Sequence, residues 1–127
     1  IDLDKFKSVN DRFSHQVGDE VLQRLAEILT ELTPDDAVVA RFGGEEFVIL
    51  IEDITAAPAL AERLRASIAE EDWSWLTADL TVTASVGLSA TDNQAGGQHQ
   101  TVSDAVLRAF QAMATAKALG GNQISRH

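Results

Sequence analysis

The feature that most narrows the possible folds is a Gly43-Gly44 step set between two β-prone apolar runs. Ala37-Val38-Val39-Ala40-Arg41-Phe42 precedes it, and Phe47-Val48-Ile49-Leu50-Ile51 follows it. Two such runs joined by glycines predict an antiparallel hairpin, from Ala37 to about Glu52, because glycine accepts the φ > 0 backbone of a tight turn. The adjacent acids Glu45 and Glu46 stand at the mouth of that turn. A hairpin has no need of them. Like charges side by side repel, and a divalent cation is the simplest compensation, although a solvated acid pair is the ordinary alternative.

A second acidic cluster opens the chain as Ile1-Asp2-Leu3-Asp4-Lys5-Phe6-Lys7. If Ile1 to Leu3 ends a strand, alternation turns Ile1 and Leu3 to one face and Asp2 to the other. Asp2 would then lie across from Glu45 on a neighbouring hairpin. Two carboxylates from two strands, with lysines nearby, suit a Mg²⁺ (or Mn²⁺) site that handles phosphates. Asp4 reads equally well as a structural acid. The backbone N–H groups after it could cradle phosphates, and Lys7 could neutralise charge developing in phosphoryl transfer.

The rest of the chain alternates helices and strands. Val9 to Ser14 reads as a short helix or turn. Gly18-Asp19-Glu20 opens a helix with Val21, Leu22, Leu25, Ile28, Leu29 and Leu32 at helical spacing, ended by Pro34-Asp35-Asp36. Thr55 to Ala69 is helical, with Pro58 in its first turn. Asp72 to Asp79 is a loop whose tryptophans, Trp73 and Trp75, cover a core edge. Leu80 to Ala90 alternates as a strand, and Thr91 to Gln100 is a flexible connection. Thr101 or Ser103 caps a last helix to about Leu119, Gly120-Gly121 stops it, and Asn122 to Ser125 adds an edge strand. The sum is an α/β (α+β) domain, a mixed β-sheet flanked by helices.

The 127 residues have room for one core. The net charge of −10 argues against a nucleic-acid polymer or an anionic membrane as partner. It leaves a nucleotide open, since metal, lysine and backbone N–H groups can meet its charge locally. The absence of cysteine excludes a disulfide framework and agrees with a cytoplasmic domain. His15, His99 and His127 are scattered and read as surface or packing residues.

Four stretches together carry a family resemblance. IDLDKFKSVNDRFSHQVGDE, from Ile1 to Glu20, resembles the first catalytic block of the GGDEF family of diguanylate cyclases. RFGGEEF, Arg41 to Phe47, resembles the family's signature in its Glu-containing form. LTVTASVGLSA, Leu80 to Ala90, resembles its late core strand, and AMATAKALGGN, Ala112 to Asn122, its C-terminal helix and glycine stop. The resemblance implies a nucleotidyl-cyclase, palm-like fold. It implies residues 1–127 as a single GGDEF domain lacking its N-terminal segment, to which a sensor or regulatory domain would be fused. It implies metal ligation by Asp2, the Leu3 carbonyl and Glu45, with Glu46 a second acid at the metal or at the attacking hydroxyl. Lys7 would assist catalysis. Asn10 and Asp19 would read the guanine edge of GTP, Lys117 would hold the triphosphate, and Phe6, Gly43 and Gly44 would offer backbone to it. Two subunits, each holding one GTP, would form cyclic di-GMP in a two-fold dimer. The family usually has Asp at Phe110, Tyr at Ala114 and a phosphate-binding Arg at Gly121, and its product-inhibition motif falls on Pro34 and Ala37. These departures leave a rival reading, a degenerate module that binds GTP or serves regulation and dimerisation.

Overall fold

The computed structural model describes residues 1–91 and 100–127. The expected hairpin is present as β2 (Val38–Gly43) and β3 (Glu46–Leu50). Gly44 supplies the left-handed turn residue, at φ 47°, whereas Gly43 ends β2 next to a register shift between Arg41 and Gly43. Of the two glycines only Gly44 therefore answers to backbone need. The opening residues form a short strand, β1 (Asp2–Leu3), antiparallel to β3 and to β4 (Ala84–Leu88). With β5 (Ile124–Arg126) parallel to β4, the sheet order is β2-β3-β1-β4-β5. This is the mixed, helix-flanked sheet expected from the sequence.

Helix α1 (Phe6–Arg12) starts earlier than its pattern suggests, directly after Lys5 in the left-handed region at φ 54°. Helix α2 (His15–Leu32) also starts earlier than the Gly18 expected, because the Ser14 hydroxyl accepts the Val17 N–H and caps it. Its buried side, Val21, Leu22, Leu25, Ile28 and Leu29, meets Leu60, Leu64 and Ile68 of α3 (Ala57–Glu70) over Leu3, Phe47 and Ala84 of the sheet. Trp73, in a 3₁₀ turn (Trp73–Trp75), closes this core and donates its indole N–H to the Ile68 carbonyl. Trp75 does not share that role, being 57% exposed. The strand expected over Leu80–Ala90 pairs only from Ala84 to Leu88, although Leu80 and Val82 keep its alternating burial.

Helix α4 (Val102–Ala118), held at its start by a Thr101–Asp104 capping box, covers the opposite face. Close approach is possible because β4 carries Gly87 there. A Cβ on Gly87 would fall 1.9 Å from the Ala109 carbonyl oxygen and 2.5 Å from the Met113 nitrogen. The connection Thr91–Gln100 lies almost wholly outside the described residues, as does His99.

Beside Ile1, an apolar cleft of about 440 Å³ lies among β3, β4 and α4. Val48, Leu50, Val86 and Leu88 line it, with Phe110 and Met113 of α4.

The Gly87 contact sets a stability test. Gly87→Ala pushes against backbone, which cannot rotate away, and should cost about 1–3 kcal/mol as overpacking does. Gly43→Ala meets nothing within 4 Å and should stay within about 0.5 kcal/mol of the parent. Urea unfolding of the two variants checks this, and equal midpoints would contradict the packing described for α4.

Candidate active site

The site is built where β1 ends. Alternation turns Leu3 into the core and Asp2 and Asp4 toward the face covered by α4. Asp2 is 8% exposed and Leu3 1%, so the strand end is buried on both sides. Opposite Asp2, the β3 residue in register is Glu46, not Glu45. Glu45 sits one position earlier, in the turn, and both glutamates are half-buried. The expected pairing of two strands' carboxylates therefore holds with a shift of one residue.

Asp2 and Asp4 lie two residues apart yet titrate in opposite directions. Burial pushes the Asp2 carboxyl up to about 6 against the pull of Lys117, and Glu45 and Glu46 add to the rise. Its Oδ1 is buried with no hydrogen-bond partner. Burial also acts to raise Asp4. There it is overcome by hydrogen bonds from the Ser85 hydroxyl at 2.6 Å, the Thr83 hydroxyl at 2.8 Å and the Asn122 N–H at 2.7 Å, which hold the carboxyl below its usual range. Asp4 is a structural clamp joining β1, β4 and the turn after α4.

Lys117, in the last turn of α4, reaches into this cluster. Its Nζ donates to the Leu3 carbonyl at 3.0 Å and lies 3.6 Å from Asp2 Oδ2 and 3.5 Å from Asp4 Oδ1. Among the contacts described, this lysine is therefore engaged with the expected metal ligands.

The remaining expected residues fall around this centre. Phe6 is buried, and its ring packs in the core. What it and Lys7 can offer a ligand is the backbone N–H groups of the first helical turn, which have no carbonyl within the helix to bond. The Lys7 side chain is exposed. Asn10 lies against Gly18, where an added Cβ would fall 1.9 Å from Asn10 Oδ1. That oxygen is buried and unpartnered. Asp19, next in the chain, is exposed on a cleft of about 430 Å³ between α2 and the hairpin, with Gln23, Val39 and Arg41. Gly43 has open space over its α-carbon.

The sequence reading missed three side chains. Thr83 and Ser85 are polar positions two apart in an apolar strand, a visible but weak signal for a shared partner on one face. Arg41 donates from Nε to the Gly44 carbonyl at 2.8 Å and braces the turn that carries Glu45.

Gly121 has a physical reason to lack a side chain. Its φ is 75°, and a Cβ there would lie 2.8 Å from the Asp4 carboxyl carbon. A side chain at this position is strained at that φ and would displace the Asp4 carboxylate.

Comparison with known proteins completes this picture. The family model for the diguanylate cyclase GGDEF domain matches residues 1–123. Over 127 residues the chain is 34% identical to diguanylate cyclase A of Treponema denticola, covering 98% of this chain and 33% of that one. Over 128 residues it is 38% identical to the response regulator PleD of Caulobacter vibrioides, covering 98% and 27%. The solved structure of the active GGEEF domain of a diguanylate cyclase from Vibrio cholerae aligns with a TM-score of 0.82 at 32% identity, over 98% of this chain and 78% of that one. The chain thus spans a third or less of the length of these two curated relatives. With the family matched almost end to end, and the GGEEF turn beside a buried strand-end aspartate, the chain belongs to the GGDEF family of diguanylate cyclase domains.

Proposed function

We propose that this domain condenses two molecules of GTP into cyclic di-GMP, releasing two pyrophosphates, across a two-fold dimer. The observation that carries the reading is Asp2. It is a buried carboxylate with one unpartnered oxygen, at the end of a central strand and in register with Glu46, the second acid of the GGEEF signature. Family membership and relatives named as diguanylate cyclases support it.

The donor set fits a hard divalent cation. Asp2, the Leu3 carbonyl and Glu45 are all oxygen donors, and Asp2 Oδ1 lacks any other partner. Among the described residues no three acidic or imidazole side chains gather into a cage. That suits Mg²⁺ or Mn²⁺, which take one or two carboxylates and leave other positions to substrate phosphate oxygens. When bound, such a cation supplies charge neutralisation at the phosphates of GTP. Glu46 accepts the proton of the attacking 3′-hydroxyl or adds charge beside the metal. The first-turn N–H groups of Phe6 and Lys7 bind phosphate oxygens, and the Lys7 ammonium meets the charge that develops as pyrophosphate leaves. The bare backbone of Gly43 and Gly44 lets the nucleotide lie close over the hairpin. Asn10 and Asp19 read guanine: the amide offers donor and acceptor, and the carboxylate accepts from N1–H and the exocyclic amine.

Each subunit holds one substrate, and the 3′-hydroxyl of each attacks the α-phosphate of the other. A symmetric product from two identical substrates fits a two-fold dimer. In this reading residues 1–127 act as a single domain, and the greater length of the relatives fits its fusion to a sensor or regulatory part. Among the described residues no helix is long and apolar enough to cross a membrane. A cytoplasmic setting, where GTP is found, is part of the proposal.

Three outcomes test this reading. The full-length protein incubated with GTP and Mg²⁺ should yield cyclic di-GMP, detected by mass spectrometry; a stable, dimeric, GTP-bound protein that yields none would point to the degenerate module instead. Glu45→Gln should unfold at the parent's urea midpoint yet lose detectable turnover, because a neutral amide is a poor Mg²⁺ ligand. Full activity in that folded variant would remove Glu45 from the metal site. Calorimetry should find GTP bound over ATP by several powers of ten, the scale at which sites lined by hydrogen-bonding groups reject a mismatched partner. Equal affinities would dismiss Asn10 and Asp19 as guanine readers.

A further inference from the structure

We infer that Lys117 is an exchangeable counter-ion of the metal site: its ammonium holds the Leu3 carbonyl and the Asp2 carboxylate until a divalent cation takes them, and then turns to the incoming phosphates. The inference rests on the metal assignment above and adds to it an order of events.

The geometry supplies the reasons. Lys117 Nζ donates to the Leu3 carbonyl at 3.0 Å and lies 3.6 Å from Asp2 Oδ2. Those two groups are donors of the proposed metal site, so one cation stands where another is to bind. A Mg²⁺ ion at its usual ~2.1 Å from the same oxygens would sit beside the ammonium and repel it. Occupation by one disfavours occupation by the other.

Asp2 and Asp4 respond differently to the departure of Lys117. Asp4 keeps its bonds from Thr83, Ser85 and the Asn122 N–H, so it remains satisfied. Asp2 has Lys117 as its ion-pair partner and an Oδ1 with no partner at all. Removing the lysine without replacement leaves a buried carboxylate uncompensated, which is costly. Exchange is therefore favourable only when another cation arrives.

The lysine is also able to move. Its side chain is 31% exposed, against 11% for each aspartate, and it stands on a flexible four-carbon stem at the end of α4. Asp4 stays as a fixed anchor for the stem's return. Gly121 contributes by its small size, since a Cβ at that position would crowd the Asp4 carboxylate.

The consequence is a pair of opposite effects from one substitution. Lys117→Met should bind Mn²⁺ without nucleotide roughly tenfold more tightly than the parent, the scale on which one neighbouring charge alters an ionic equilibrium. The same variant should bind GTP in the presence of Mg²⁺ more weakly. Free Mn²⁺ is followed by electron paramagnetic resonance and GTP by calorimetry, on the whole chain, with Asp2→Asn as the control for the site. Mn²⁺ binding that is lost in Asp2→Asn but unchanged or weaker in Lys117→Met overturns the counter-ion role and leaves the metal site standing. Mn²⁺ binding that survives Asp2→Asn unchanged overturns both. If Lys117→Met proves too unstable to titrate at ordinary temperature, the rise in melting temperature on adding Mn²⁺ gives the same sign. A larger rise than the parent's supports the exchange, and an equal or smaller one overturns it.

Discussion

The carboxylate of Asp2 is buried at the end of a strand only two residues long, and the rest of the site depends on it. Burial raises its pKa to about 6, so its ionised form is held at a cost. What offsets that cost is cationic: Lys117 in the structure described, and a divalent ion in the proposed working state. The strand end is fixed from three directions. Leu3 is sealed into the core, Glu46 pairs from β3, and Ala84 and Ser85 pair from β4. Asp2 is thus held on rigid sheet, while Glu45 comes from a turn braced by Arg41.

Asp4 gives the second part of the logic. By accepting from Thr83, Ser85 and Asn122 it ties the end of β1 to the chain segment after α4. The tie brings Lys117 to the site from the far end of the sequence. It also explains why Gly121 lacks a side chain, and so links the departure at the family's arginine position to local packing. Under the proposed function, the lack of that arginine would leave more of the phosphate charge to metal, backbone N–H groups and Lys7.

The hairpin was legible because its signal is local: two β-prone runs, two glycines, and acids where a turn does not require them. The α2 core face was legible for the same reason, being periodicity, and of the two caps offered for α4 the structure uses Thr101. Boundaries were less so. The Ser14 cap moves the start of α2 to His15, ahead of the more conspicuous Gly18-Asp19-Glu20. The alternation of Leu80 to Ala90 reports burial, but a ladder needs partners, and β1 and β5 offer them only between Ala84 and Leu88. The acids of the strand end and turn could be named as candidates from the sequence, whereas the pairing of Asp2 with Glu46 and the engagement of Lys117 with Leu3 could not. Those contacts join residues far apart in the chain, and their register is set by packing.

The most direct test of the account is the position of the metal. Crystals of the protein grown with Mn²⁺ and a non-hydrolysable GTP analogue, measured at the manganese absorption edge, locate the ion by its anomalous signal. The account requires a peak bounded by Asp2, the Leu3 carbonyl and Glu45, with Lys117 withdrawn from Leu3 and directed at phosphate oxygens. A peak elsewhere, or a nucleotide bound with Lys117 still on the Leu3 carbonyl, would contradict it.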